Sequence, residues 1–201
     1  MNKLTSTLLA CALLLTVLGG ALVFYDKLAV EAPSPSLAVP PEETIEPGSV
    51  EHTQETAPAE EEKMLAPDFT VVDAEGNEVS LTDFFGKPIV LNFWASWCGP
   101  CKSEMPDFDA AYQTHGADIH FLMVNLTDGS RETIQTASDF ITQQGYTFPV
   151  YFDTNYSAAM AYGTSAIPIT FFIDAEGYPV AYGQGALSTN VLQKGIDMLL
   201  N

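Results

Sequence analysis

The pattern of apolar and polar positions changes character twice along the chain and divides it into three segments. From Leu4 to Tyr25 the run LTSTLLACALLLTVLGGALVFY is apolar apart from Ser, Thr and Gly. As a helix its 22 residues reach about 33 Å, enough to cross the hydrocarbon core of a bilayer. A secretory signal has a shorter apolar core and a small-x-small cleavage site. The best candidate here, Val30-Glu31-Ala32, is followed by Pro33, a poor residue after a scissile bond. Residues 1–25 are therefore predicted to form an uncleaved transmembrane signal anchor, with Cys11 a small residue inside it. Lys3, on a very short leading tail, favours keeping that tail in the cytoplasm, although Lys27 on the far side weakens the count. The remainder is read as extracytoplasmic, on a single-pass protein of the cell membrane.

Globular patterning begins at Pro67. Strand-like runs occur at Phe69 to Val72, Pro88 to Ala95, Ile119 to Leu126, Pro149 to Asp153, Ile169 to Ile173 and Tyr178 to Tyr182. Between them, helical spacing marks Pro100 to Thr114, Ser130 to Gln144, Asn155 to Tyr162 and Ser188 to Leu200. Strands alternating with helices predict an α/β domain over residues 67–201, a sheet with helices on both faces. Two turn signals refine this. Asp174 to Gly177 separates the last two strands closely enough for an antiparallel hairpin, which makes the sheet mixed. Asp73 to Asn77 has the same turn chemistry and predicts a second hairpin ahead of the main sheet.

Composition explains the stretch between anchor and domain. Asp26 to Ala66 holds ten acidic and two basic residues, six prolines and no aromatic residue, too little apolar surface to offset the entropy of ordering. It is predicted to be a disordered spacer, reaching roughly 35 Å root-mean-square as a flexible coil. The whole chain carries 26 acidic against 7 basic side chains, a formal charge of -19. Attraction to nucleic acid or to an anionic membrane surface is thereby excluded.

The chemistry concentrates in Val90 to Pro106, where a buried-looking strand runs directly into Cys98-Gly99-Pro100-Cys101 at the start of a helix. Unpaired backbone N–H groups and the positive end of the helix dipole favour a thiolate at Cys98, the attacking species in disulfide exchange. Cys101, one turn along, can attack the mixed disulfide that Cys98 forms with a substrate. Pro100 suits a first helical turn, where a missing N–H loses no partner. Pro106 cannot donate to the carbonyl of Lys102, so a kink is expected there. Half of a zinc site is the alternative for the two cysteines. Structural zinc needs four ligands, the third cysteine is Cys11, and His52, His115 and His120 show no ligand spacing. No metal and no cofactor are expected.

Trp94 to Cys101 (WASWCGPC) looks like the thioredoxin active-site motif, and the wider pattern resembles the TlpA/ResA family of membrane-anchored bacterial thioredoxin-like proteins. Supporting elements are Ala66 to Phe69, Leu81 to Phe84, Lys102 to Pro106 and Ala166 to Thr170; the match covers Leu65 to Asn201. The resemblance implies a thioredoxin-like fold with an N-terminal β-hairpin and a helix-strand insertion, acting as a thiol:disulfide oxidoreductase. It implies a cis peptide bond at Pro168 facing the cysteines. Substrate would bind Trp97, Gly99, Pro100, Ile167 and Pro168. Where cytoplasmic thioredoxins carry a buried acid, this chain has Asn92, an amide common in the family. The available carboxylate is Glu104, a helical neighbour of Cys101. It is either an acid–base group for the dithiol or a solvated helix residue. Phe93, Trp94 and Trp97 are expected to pack around the dithiol. The resemblance further implies a monomer that reduces envelope protein disulfides and is recharged by a transmembrane electron donor of the CcdA/DsbD type. Apocytochrome c thiols and oxidised methionine sulfoxide reductases are substrates by the same analogy. A peroxiredoxin-like peroxidase and a metal chaperone are the remaining classes. The first lacks its threonine-containing loop before the cysteine, and the second its wider spacing and nearby soft ligands.

Overall fold

The computed structural model describes residues 36–38 and 63–201. The anchor expected over residues 1–25, with Cys11, and most of the expected spacer, with His52, lie outside the described residues. Among the described residues no helix is long and apolar enough to cross a membrane. The strands are β1 (Leu37–Ala38), β2 (Thr70–Val72), β3 (Glu78–Ser80), β4 (Ile89–Trp94), β5 (His120–Asn125), β6 (Val150–Phe152), β7 (Ile169–Ile173) and β8 (Pro179–Gln184). The helices are α1 (Gly99–His115), α2 (Ile134–Gln144), α3 (Ser157–Ala161) and α4 (Thr189–Leu200). The strands form one sheet in the order β1-β8-β7-β4-β5-β6-β2-β3. β4 and β6 pair parallel with β5, and the other pairings are antiparallel, so the sheet is mixed.

β4 lies near the middle of the sheet and all six of its residues are buried, as expected for a strand covered on both faces. Its alternation directs Val90, Asn92 and Trp94 to one face and Ile89, Leu91 and Phe93 to the other. The first face packs against Cys101, Met105 and Phe108 of α1 and against Leu192 and Ile196 of α4. The second packs against Val71, Leu81 and Ala158. This corrects the expectation for Phe93. It sits on the face away from the cysteines, against the rings of Tyr162 and Phe171 at 5.5 and 6.3 Å between centroids. Trp94 is on the cysteines' side, its indole N–H donating to the Met123 carbonyl at 3.2 Å.

Both turn signals produce hairpins. The Asp73 carboxylate accepts from the backbone N–H groups of Glu75 and Asn77 at 3.0 and 2.8 Å and closes β2 onto β3. Asp174 does the same for β7 and β8 through the Tyr178 N–H at 2.7 Å. α2 is shorter than the expected Ser130 to Gln144. Asp128 accepts from the N–H groups of Ser130 and Glu132 at 2.7 and 2.9 Å, which folds these residues into a loop. Thr133 then caps the helix, its hydroxyl accepting from the Thr136 N–H at 3.1 Å. α1 continues through Pro106.

Two pieces of the expected spacer are ordered. Leu37 pairs with Gly183 and Ala38 with Tyr182, so the sheet gains an edge strand from a stretch whose composition predicts disorder. Backbone pairing with the free edge of β8 supplies what composition lacks. Ala66 is buried, and its N–H donates to the Gly177 carbonyl at 2.8 Å.

α4 approaches β7 closely because Gly195 has no side chain: a Cβ there would overlap the fully buried ring of Phe172. Gly195→Ala is expected to destabilise the domain by about 1–3 kcal/mol through overpacking. Urea unfolding checks this, with a lower midpoint and an unchanged slope as the expected result.

Candidate active site

The site forms where β4 ends. After Trp94 the chain turns through Ala95, Ser96 and Trp97 and places Cys98 at the N-cap of α1. Cys98 and Cys101 are joined by a disulfide, with their Cα atoms 5.3 Å apart. The Cys101 N–H points at Cys98 Sγ at 3.2 Å. That is one of the helix-start donors that would stabilise a thiolate at Cys98 once the bond is reduced. Cys98 retains 5% exposure and Cys101 none, so an incoming thiolate can reach only the first sulfur. Gly99 and Pro100 are exposed beside them.

A second segment closes over the pair. The Ile167–Pro168 peptide bond is cis, and the Ile167 carbonyl oxygen lies 3.8 Å from Cys98 Sγ. The Pro168 carbonyl accepts from the Gly185 N–H at 2.8 Å, which fastens this loop to the chain leaving β8. Ile167, Pro168, Trp97, Gly99, Pro100 and Cys101 thus lie near Cys98, whose residual 5% exposure leaves one sulfur of the pair within reach.

Glu104 is buried, at 1% exposure, which removes the alternative of a solvated helix residue. Its Oε1 accepts from the Asn92 amide at 2.9 Å and its Oε2 from the Leu187 N–H at 2.8 Å. The same Asn92 amide donates to the Thr170 hydroxyl at 3.0 Å, and Asn92 Oδ1 has no partner. Burial pushes the Glu104 carboxyl up to about 7; the two hydrogen bonds oppose this and the Asp107 carboxylate adds to it. The i, i+3 relation makes this acid a helical neighbour of Cys101.

Residues that sequence reasoning passed over hold the loop before Cys98. Glu132 is fully buried and accepts from the Ser96 N–H, the Ser96 hydroxyl and the Asn125 amide at 2.8, 2.7 and 2.7 Å. Arg131, the chain's one arginine, stands over the Trp97 ring at 3.8 Å. Trp97 is 40% exposed, and this cation covers one face of its ring. The available signal was the acid and Thr133 cap ahead of α2, hidden by extending that helix back to Ser130.

The raised Glu104 carboxyl has a consequence for stability. Between the unfolded carboxyl value of 4.5 and about 7 the folded state holds a proton that the unfolded state has lost. The stabilisation is thus complete below 4.5 and disappears as pH rises through 7. The oxidised protein is expected to lose stability over this window by an amount on the order of 3 kcal/mol. Glu104→Gln should flatten that dependence in urea unfolding at graded pH.

This geometry has relatives. The model of the AhpC/TSA family matches residues 63–179. The thiol-disulfide oxidoreductase ResA of Geobacillus thermodenitrificans is 41% identical over 115 residues, covering 56% of this chain and 63% of that protein. ResA of Bacillus cereus is 34% identical over 143 residues, covering 68% of this chain and 79% of that one. Among solved structures, the pneumococcal exposed lipoprotein thioredoxin Etrx1 of Streptococcus pneumoniae superposes with a TM-score of 0.58 at 28% identity, over 66% of this chain and 99% of that one. The chain belongs to the TlpA/ResA family of thioredoxin-fold thiol-disulfide oxidoreductases.

Proposed function

We propose that this enzyme is a protein-disulfide reductase working outside the cytoplasm, tethered by its N-terminal segment. The observation that carries this reading is the juxtaposition of one reachable sulfur, Cys98, at a helix start with a buried dithiol partner and the buried acid Glu104. The Cys98 thiolate attacks one sulfur of a partner disulfide, forming a mixed disulfide as the partner's other sulfur leaves as a thiolate. Cys101 then loses its proton to Glu104 and attacks Cys98 Sγ. The Cys98–Cys101 bond forms, the partner's second thiolate departs, and two electrons have passed from the dithiol to the partner. The backbone at the half-buried Ile167, beside the buried Pro168, is offered to an extended substrate segment. A transmembrane electron donor of the CcdA/DsbD type restores the dithiol. Envelope protein disulfides are the substrate class, those of cytochrome c maturation among them. The apolar run from Leu4 to Tyr25 and the exposed lipoprotein among the structural relatives support the location.

Cys101→Ser leaves Cys98 able to attack but removes the resolving sulfur, so mixed disulfides with envelope or surface proteins should accumulate in cells. Reducible adducts are compared with those of a Cys98→Ser, Cys101→Ser double variant. Adducts mainly with cytosolic proteins, or none that depend on Cys98, would contradict the proposal.

Resolution itself is measurable in the protein carrying a preformed mixed disulfide between Cys98 and 2-mercaptoethanol, as release of the small thiol when Cys101 attacks Cys98 Sγ. Its rate should show an inflection near pH 7, set by Glu104. Glu104→Gln should slow it roughly a hundredfold and remove that inflection.

A further inference from the structure

Among the described residues ahead of the domain, Leu37 packs against the core of the redox site. β1 lies along β8 with Leu37 opposite Gly183. Gly183 is bare: a Cβ there would stand 2.7 Å from Leu187 Cδ2 and 3.5 Å from Leu37 Cδ2, so both leucine side chains lie over it. Leu37 packs against the core cluster that also contains Leu187, Cys98 and Cys101. Leu187 is 3% exposed, and its backbone N–H is the donor to Glu104 Oε2.

We propose that Leu37 is a positioning residue for Glu104: by covering Leu187 at the sheet edge it holds the N–H that binds the carboxylate and keeps water from it. The N-terminal stretch is then a working part of the redox domain, beyond any tether. This inference rests on the role given to Glu104 above. The groups facing that carboxylate are few. β4 contributes the uncharged Asn92 amide, the chain before α4 the Leu187 N–H, and α1 the Asp107 carboxylate and Cys101, with Cys98 at its cap. Burial is the largest influence on Glu104, so admitting water lowers its pKa towards the ordinary carboxyl value.

The test uses the full chain with Leu37→Ala, Leu37→Ile and Glu104→Gln beside the wild type. The resolution rate is followed against pH, and thermal melting is recorded in parallel. Leu37→Ala should move the inflection down by roughly one pH unit, and Leu37→Ile, which restores an apolar side chain of similar volume, should return it. A lowered melting temperature with an unmoved inflection overturns the inference, because a purely structural edge strand predicts that result. If Glu104→Gln matches the wild type across pH, the role of Glu104 itself fails, and the inference with it.

Discussion

A carboxylate held inside the core beside a disulfide is the constraint on which the rest of the site depends. Glu104 is bound by an amide from β4 and a backbone N–H from the chain before α4, while its own backbone belongs to the helix that starts at Cys98. Three parts of the chain must be in register for those two bonds to form. Burying a carboxyl without partners would be expensive, and its raised pKa shows that two hydrogen bonds only partly offset the loss of water. The group therefore keeps its proton up to about pH 7, and the sheet and helices that bury it also fix Cys98 at a helix start.

The loop before Cys98 is secured separately. Glu132 takes three hydrogen bonds from Ser96 and Asn125, and Arg131 lies across Trp97. Cys98 is thus positioned from behind by Glu104's surroundings and from the side by the hydrogen bonds of Glu132. The cis Ile167–Pro168 segment completes the enclosure on the third side. One sulfur of the pair, that of Cys98, remains accessible, which is what the proposed order of reaction rests on.

Much of this was legible in the sequence. The alternation in β4, the Asp-containing hairpin turns and a cysteine pair at a strand-to-helix junction each follow from local spacing, and together they specify the fold class and the two sulfurs. The resemblance pointed to Pro168 and Glu104. What spacing could not reveal is where Glu104 faces, because its partners lie 12 and 83 residues away. Glu132 was hidden for a related reason: Thr133, not Ser130, begins the helix, and only the contact with Ser96 36 residues earlier shows what the acid does. Leu37–Ala38 was illegible for the opposite reason. A two-residue strand has no periodicity, and its proline-rich acidic surroundings predict disorder, so only the unpaired edge of β8 reveals its place.

The direction of electron flow is the central claim, and the reduction potential of the Cys98–Cys101 couple tests it most directly. Equilibrating the full chain against defined thiol–disulfide buffers, with quenching and mass analysis, gives that potential at each pH. A reductase with this Gly-Pro spacing should lie near the thioredoxin end of the range, at about −270 mV. The potential should also change slope with pH near 7, where Glu104 titrates. A value near about −120 mV, the strongly oxidising end, would contradict it and make the protein a donor of disulfides.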